Sequence, residues 1–124
     1  MEDEQPYFDV QLAKLDASLR TGDSEMARLY LAAFDLQLSG YVRGEERVVF
    51  PVLEKIASGP SSATAKMRKE HESLRTLVAT MWDALDRADR HRGLQILGTL
   101  RSLLALHVAK EDWILYPLLK RTVH

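Results

Sequence analysis

The 124-residue chain contains no cysteine. Disulfide staples, zinc ribbons, iron–sulfur clusters and thiol chemistry are excluded together. Any metal it holds needs imidazole, carboxylate or phenolate ligands. Neither sign of charge is in excess, with 17 basic residues against 18 acidic, so neither a nucleic-acid-binding surface nor a strong attraction to membranes is indicated. No run of about 18 apolar residues could cross a bilayer, and the opening MEDEQP is acidic and unlike a signal peptide. The expectation is a soluble, cytoplasmic protein whose partners are chosen by a site rather than by bulk charge. The length suits a single domain spanning residues 1–124.

Glycine and proline are also scarce, six and four residues. They fall chiefly near Pro6, at Thr21-Gly22-Asp23, at Ser58-Gly59-Pro60 and from Asp89 to Gly93, which divides the chain into four segments. Each has helical periodicity. Phe8, Leu12, Leu15 and Leu19 recur at alternating steps of four and three, with Pro6 suited to a first turn. The same rhythm runs through Leu31, Phe34, Leu38, Tyr41, Glu45, Val48 and Val52, then His71, Leu74, Val78, Met81 and Leu85, then Leu97, Leu100, Leu104, His107, Glu111, Ile114 and Leu118. Strand-like alternation is absent. Long amphipathic helices on short connections predict an all-α, up-down-up-down antiparallel four-helix bundle.

The two halves are related by a constant shift of 66 residues. Leu74 falls on Phe8, Val78 on Leu12 and Met81 on Leu15, while His107 falls on Tyr41, Glu111 on Glu45, Ile114 on Val48, Tyr116 on Phe50 and Pro117 on Pro51. The chain therefore reads as two similar helical hairpins, with Gln5 the counterpart of His71.

Six inward positions are not aliphatic: Gln5, Tyr41, Glu45, His71, His107 and Glu111. At about 1.5 Å rise per residue, His71 and His107 both lie some 25 Å from the turn near residue 90, so they should meet. Their neighbours fall at matching heights, and all six are expected in one layer. Two glutamates and two histidines in an apolar interior would cost several kcal/mol per charge unless paired, neutralised or coordinated to a cation. Residues four apart share a helix face, so His107 with Glu111 can approach one ion, and Tyr41 with Glu45 is its altered twin. Imidazole and carboxylate ligation without thiolate suits iron, manganese or zinc. Glu46 and Asp112, one place round the helix, are expected to be solvated, although Asp112 could replace Glu111 if the helix is rotated. Met67 is expected in the core, Trp82 and Trp113 in packing or an interface, the MEDE start in a disordered tail, and His91 and His124 outside the site.

YVRGEERVVFP (residues 41–51), HVAKEDWILYP (107–117) and KEHESL around His71 resemble the hemerythrin-like HHE cation-binding domains along essentially the whole chain. The resemblance implies a four-helix bundle with His71, His107, Glu111 and Glu45 at metal-ligand positions, non-heme iron in one or two ions, and roles in oxygen binding, oxygen or iron sensing, or repair under nitrosative stress. The chain departs from the family pattern twice: no histidine precedes His71, and the second-helix histidine is Tyr41. One well-ligated position is therefore expected, with Tyr41 either a phenolate ligand to ferric iron or a hydrogen-bonding neighbour. The leading expectation is a non-enzymatic metal protein that binds or senses oxygen, nitric oxide or iron, with homo-oligomers open. The alternatives are a metal-free bundle serving as an interaction module, and a diiron oxidase or nitric oxide scavenger.

Overall fold

A computed structural model describes residues 5–56, 59, 62–115 and 117, with the side chains of residues 5–7, 114 and 115 excepted. The expectations for the MEDE tail, the Gln5 side chain, Ile114, Tyr116, Leu118 and His124 lie outside what it describes. All the regular structure among the described residues is helical. Helix α1 spans Gln5–Thr21 and α2 spans Ser24–Gly44. A π-helical turn, Glu45–Val49, joins α2 to α3, Phe50–Ile56. Helix α4 covers Ser62–Asp86, and α5, Arg90–Lys110, runs into a second π-helical turn, Glu111–Leu115. Four rods result, and each packs on two others: α1 against α2 and α5, α4 against α5 and α2. This is the expected four-helix bundle.

The hairpin turns show why the chain reverses where it does. Gly22 and Ala88, 66 residues apart, both adopt positive φ, 77° and 54°. Their amides reach back to Leu19 O and Leu85 O, and the next amides, of Asp23 and Asp89, to Ser18 O and Ala84 O. Each aspartate then caps the following helix, Asp23 accepting from the Met26 amide and Asp89 from the Arg92 amide. The repeat thus extends to backbone conformation, but glycine occupies the left-handed position in one hairpin only. An exposed Arg28–Asp86 ion pair links the two hairpins at this end.

The main core stacks Phe8, Leu12, Leu15 and Leu19 against Leu31, Phe34 and Leu38 of α2, Leu74, Val78 and Met81 of α4, and Leu97, Leu100 and Leu104 of α5, as the periodicity anticipates. Phe8 sits edge-on to both Phe34 and Tyr41, with ring centroids 5.8 Å and 5.4 Å apart. A smaller cluster of Val49, Phe50, Leu53 and Met67 lies further along the bundle. Two expected core positions are corrected: Val48 and Val52 are 62% and 43% exposed. The π turn is the cause. It inserts one residue into the helical repeat, so inward positions after Glu45 fall at Val49, Phe50 and Leu53 instead.

Ala88 holds a conformation that costs a residue with a Cβ more than it costs glycine. Ala88→Gly is expected to stabilise the fold by roughly 0.5–1 kcal/mol, after the greater entropy of glycine in the unfolded chain is subtracted. Urea denaturation checks it, and a destabilised variant would contradict the assignment of this turn.

Candidate metal centre

Four ionisable side chains from three rods are buried together where α2 passes through its π turn. Glu45 is 1% exposed, His71 and His107 are fully buried, and Glu111 is 1% exposed. His71 Nε2 lies 2.7 Å from Glu45 Oε1, His107 Nε2 lies 3.1 Å from the same oxygen, and the two Nε2 atoms are 3.1 Å apart. Glu45, His71 and His107 thus offer three donor atoms to one point. Glu111 adjoins the trio through its Oε1, 3.2 Å from His107 Nε2. The expected meeting of both histidines and both glutamates is what the structure shows.

The backbone explains the convergence. Both carboxylates open a π turn: the Glu45 amide bonds to Tyr41 O and Val42 O, the Glu111 amide to His107 O and Val108 O, and the Phe50 amide closes the wider loop on Glu45 O. Such insertions are frequent at functional sites, where they re-aim side chains without ending the helix. Here the same device appears in both hairpins, at positions 66 apart.

Each imidazole is also held from behind. His71 Nδ1 contacts Glu46 Oε2 at 2.8 Å, and the other oxygen of Glu46 accepts from Arg75 at 3.2 Å. His107 Nδ1 contacts Glu70 Oε1 at 2.9 Å, and the other oxygen of Glu70 accepts from Lys110. Burial pushes both glutamates up, but hydrogen bonds and positive charge outweigh it and hold them below the ordinary value of 4.5: from His71 and Arg75 on Glu46, from Lys110 and His107 on Glu70. Both are therefore carboxylates that accept, and both Nδ1 atoms donate. An imidazole so held turns its Nε2 toward the centre. The expectation that Glu46 is solvated is corrected, since it faces His71; Asp112 is exposed, as expected. Glu70 was not anticipated. The one signal for it is its place in KEH, directly before His71.

Glu45 lies between the two imidazoles. Burial raises its carboxyl, but hydrogen bonds and charge from His107 and His71 outweigh this and keep it below 4.5. Its Oε2 is buried with no hydrogen-bond partner among the described residues, a costly arrangement unless a cation takes the lone pairs. A cation about 2.1 Å from each donor separates neighbouring donors by about 3.0 Å in octahedral geometry and about 3.4 Å in tetrahedral geometry. Spacings of 2.7, 3.1 and 3.1 Å match one face of an octahedron. The residues fit a metal ion.

The remaining expected residues surround this group. Phe50 stacks on His71, centroids 5.4 Å apart and planes at 16°, and the Arg68 guanidinium lies 5.0 Å from the centre of the Phe50 ring. Met67 is in the core. Tyr41 is half-buried and edge-on to His107 at 6.3 Å between centroids, next to the cluster. Trp82 packs on the main core and donates to Asp35, whereas Trp113 is 82% exposed.

A bundle of four antiparallel rods enclosing a two-histidine, carboxylate cluster defines a class of helical metal-binding proteins. The hemerythrin HHE cation-binding domain model matches residues 1–119, and the chain belongs to that family. No curated protein and no solved structure matches it significantly.

Phe50 seals the apolar side of His71, so its removal should cost both packing and stacking. Phe50→Ala is expected to lower stability by about 3–5 kcal/mol, measured by urea denaturation of the metal-free protein. A loss below about 1 kcal/mol would show that this ring does not close the site.

Proposed function

We propose that the chain binds one metal ion, iron in preference to manganese or zinc, and uses it to bind or sense oxygen or nitric oxide, or to sense iron itself. One observation carries this reading: Glu45, His71 and His107 place two imidazoles and one carboxylate at the corners of a nearly equilateral triangle about 3 Å on a side. That donor set, with positions left open, suits non-heme iron(II). A bound iron ion supplies a redox-active centre accessible to a small ligand.

The chain's own part is to hold and shield. Glu45 contributes negative charge, His71 and His107 contribute nitrogen donors, and Glu111 is placed to add a second carboxylate from the His107 side. Phe50 and Met67 exclude water beyond His71. The positions of the other hairpin that would complete a symmetric pair of sites are Tyr41 and Gln5, which supports one ion rather than two. Glu46 and Glu70 are committed to the histidines and their cationic partners, which favours binding over proton-moving turnover.

Purification without chelator should give about one metal ion per chain by elemental analysis, and His107→Ala should abolish it while leaving the helical circular dichroism intact. Absence of stoichiometric iron, manganese or zinc would reject the reading in favour of a metal-free interaction module, and two ions per chain would favour a dinuclear centre. Tyr41 stands close enough to His107 to be tested as a ligand in the oxidised protein. A Tyr41 phenolate bound to oxidised iron would give a visible absorption band that vanishes in Tyr41→Phe; an unchanged spectrum removes Tyr41 from the ligand set.

A further inference from the structure

Glu46, Glu70, Lys110 and Arg75 form a pattern beyond a set of separate hydrogen bonds. The π turn after α2 carries Glu45 and, next to it, Glu46, which holds His71 of α4. Helix α4 carries His71 and, just before it, Glu70, which holds His107 of α5. Helix α5 carries His107 and ends at Lys110, which anchors Glu70, immediately before Glu111. Every rod that contributes a donor also contributes, from an adjacent position, a group that orients a donor or its support on another rod. Arg75, one turn beyond His71 on α4, closes the pattern by anchoring Glu46.

We infer that Glu46 and Glu70 are positioning residues that preform the site before metal arrives, by holding His71 and His107 at Nδ1 so that Nε2 is turned inward. The inference rests on the metal reading of the Glu45–His71–His107 cluster and assigns the residues that set its affinity. Each imidazole has two nitrogens of near-equal basicity and can present either. A carboxylate at 2.8–2.9 Å from Nδ1 removes that choice, because only a protonated Nδ1 can face it. Glu46 and Glu70 are not themselves donors to the ion: each has one oxygen on an Nδ1 and the other on Arg75 or Lys110. The metal therefore meets donors whose orientation is already settled, and less binding energy is lost in ordering them.

Two readouts separate positioning from mere packing. Nitrogen-15 shifts of the metal-free protein should show protonated Nδ1 on both His71 and His107. Glu46→Gln should disturb that signature at His71 alone and Glu70→Gln at His107 alone. Anaerobic titration with Fe2+, and separately with Zn2+, should show each near-isosteric variant binding about 10–100-fold more weakly than the unsubstituted protein, with similar helical circular dichroism. Lys110→Met and Arg75→Met keep the carboxylates while removing their anchors, and should produce smaller losses in the same direction. Unchanged affinity in both glutamine variants, or an unprotonated Nδ1 on His71 or His107 in the metal-free protein, would overturn the inference and leave the metal reading intact. An unsubstituted protein that takes up neither ion would overturn both.

Discussion

Everything near one end of this bundle answers to the burial of the Glu45 carboxylate between two imidazoles. A carboxylate that is 1% exposed, with one oxygen shared by His71 and His107 and the other without a hydrogen-bond partner among the described residues, is expensive to keep in an apolar interior. The surroundings are arranged to make it tolerable. Two carboxylate-cation pairs hold the imidazoles in place, an aromatic ring covers one of them, and apolar clusters lie on either side. A structural role alone does not call for three donors facing one another at about 3 Å. A cation does, because each of the three can give it a lone pair.

Much of this was legible in the sequence because helical spacing is local. Steps of three and four residues place Phe8 to Leu19, Leu31 to Leu38, Leu74 to Met81 and Leu97 to Leu104 on buried stripes, and all are found there. Helical rise alone brings His71 and His107 to one height. What the periodicity could not reveal is where the rods leave the α repeat. A π turn adds a single residue without ending the helix, and although Gly44 precedes it and Pro51 follows it, the apolar pattern reads equally well through Val48 and Val52. Val48 and Val52 were consequently expected inside, and Val49, Phe50 and Leu53 are the inward residues. Glu46 and Glu70 were hidden for a related reason: each lies one residue from a ligand position, where a straight helix turns a side chain toward solvent. Their burial depends on the neighbouring rod, which local spacing does not describe.

The 66-residue repeat survives more completely in backbone than in chemistry. Left-handed turn residues, aspartate caps and π turns recur at matching positions, yet the counterparts of His71 and His107 are Gln5 and Tyr41. A symmetric scaffold thus supports an asymmetric cluster, in which one hairpin gives both imidazoles and the other gives Glu45. Membership in the HHE cation-binding family fits the scaffold, while the donors are divided unevenly between the two hairpins.

The central claim is that one cation sits against Glu45, His71 and His107. Anomalous diffraction at the iron edge from crystals of the iron-loaded protein tests it most directly. The account predicts a single peak about 2.1 Å from Glu45 Oε1 and from both Nε2 atoms. An empty triangle in iron-replete protein, or iron bound only elsewhere in the bundle, would contradict it.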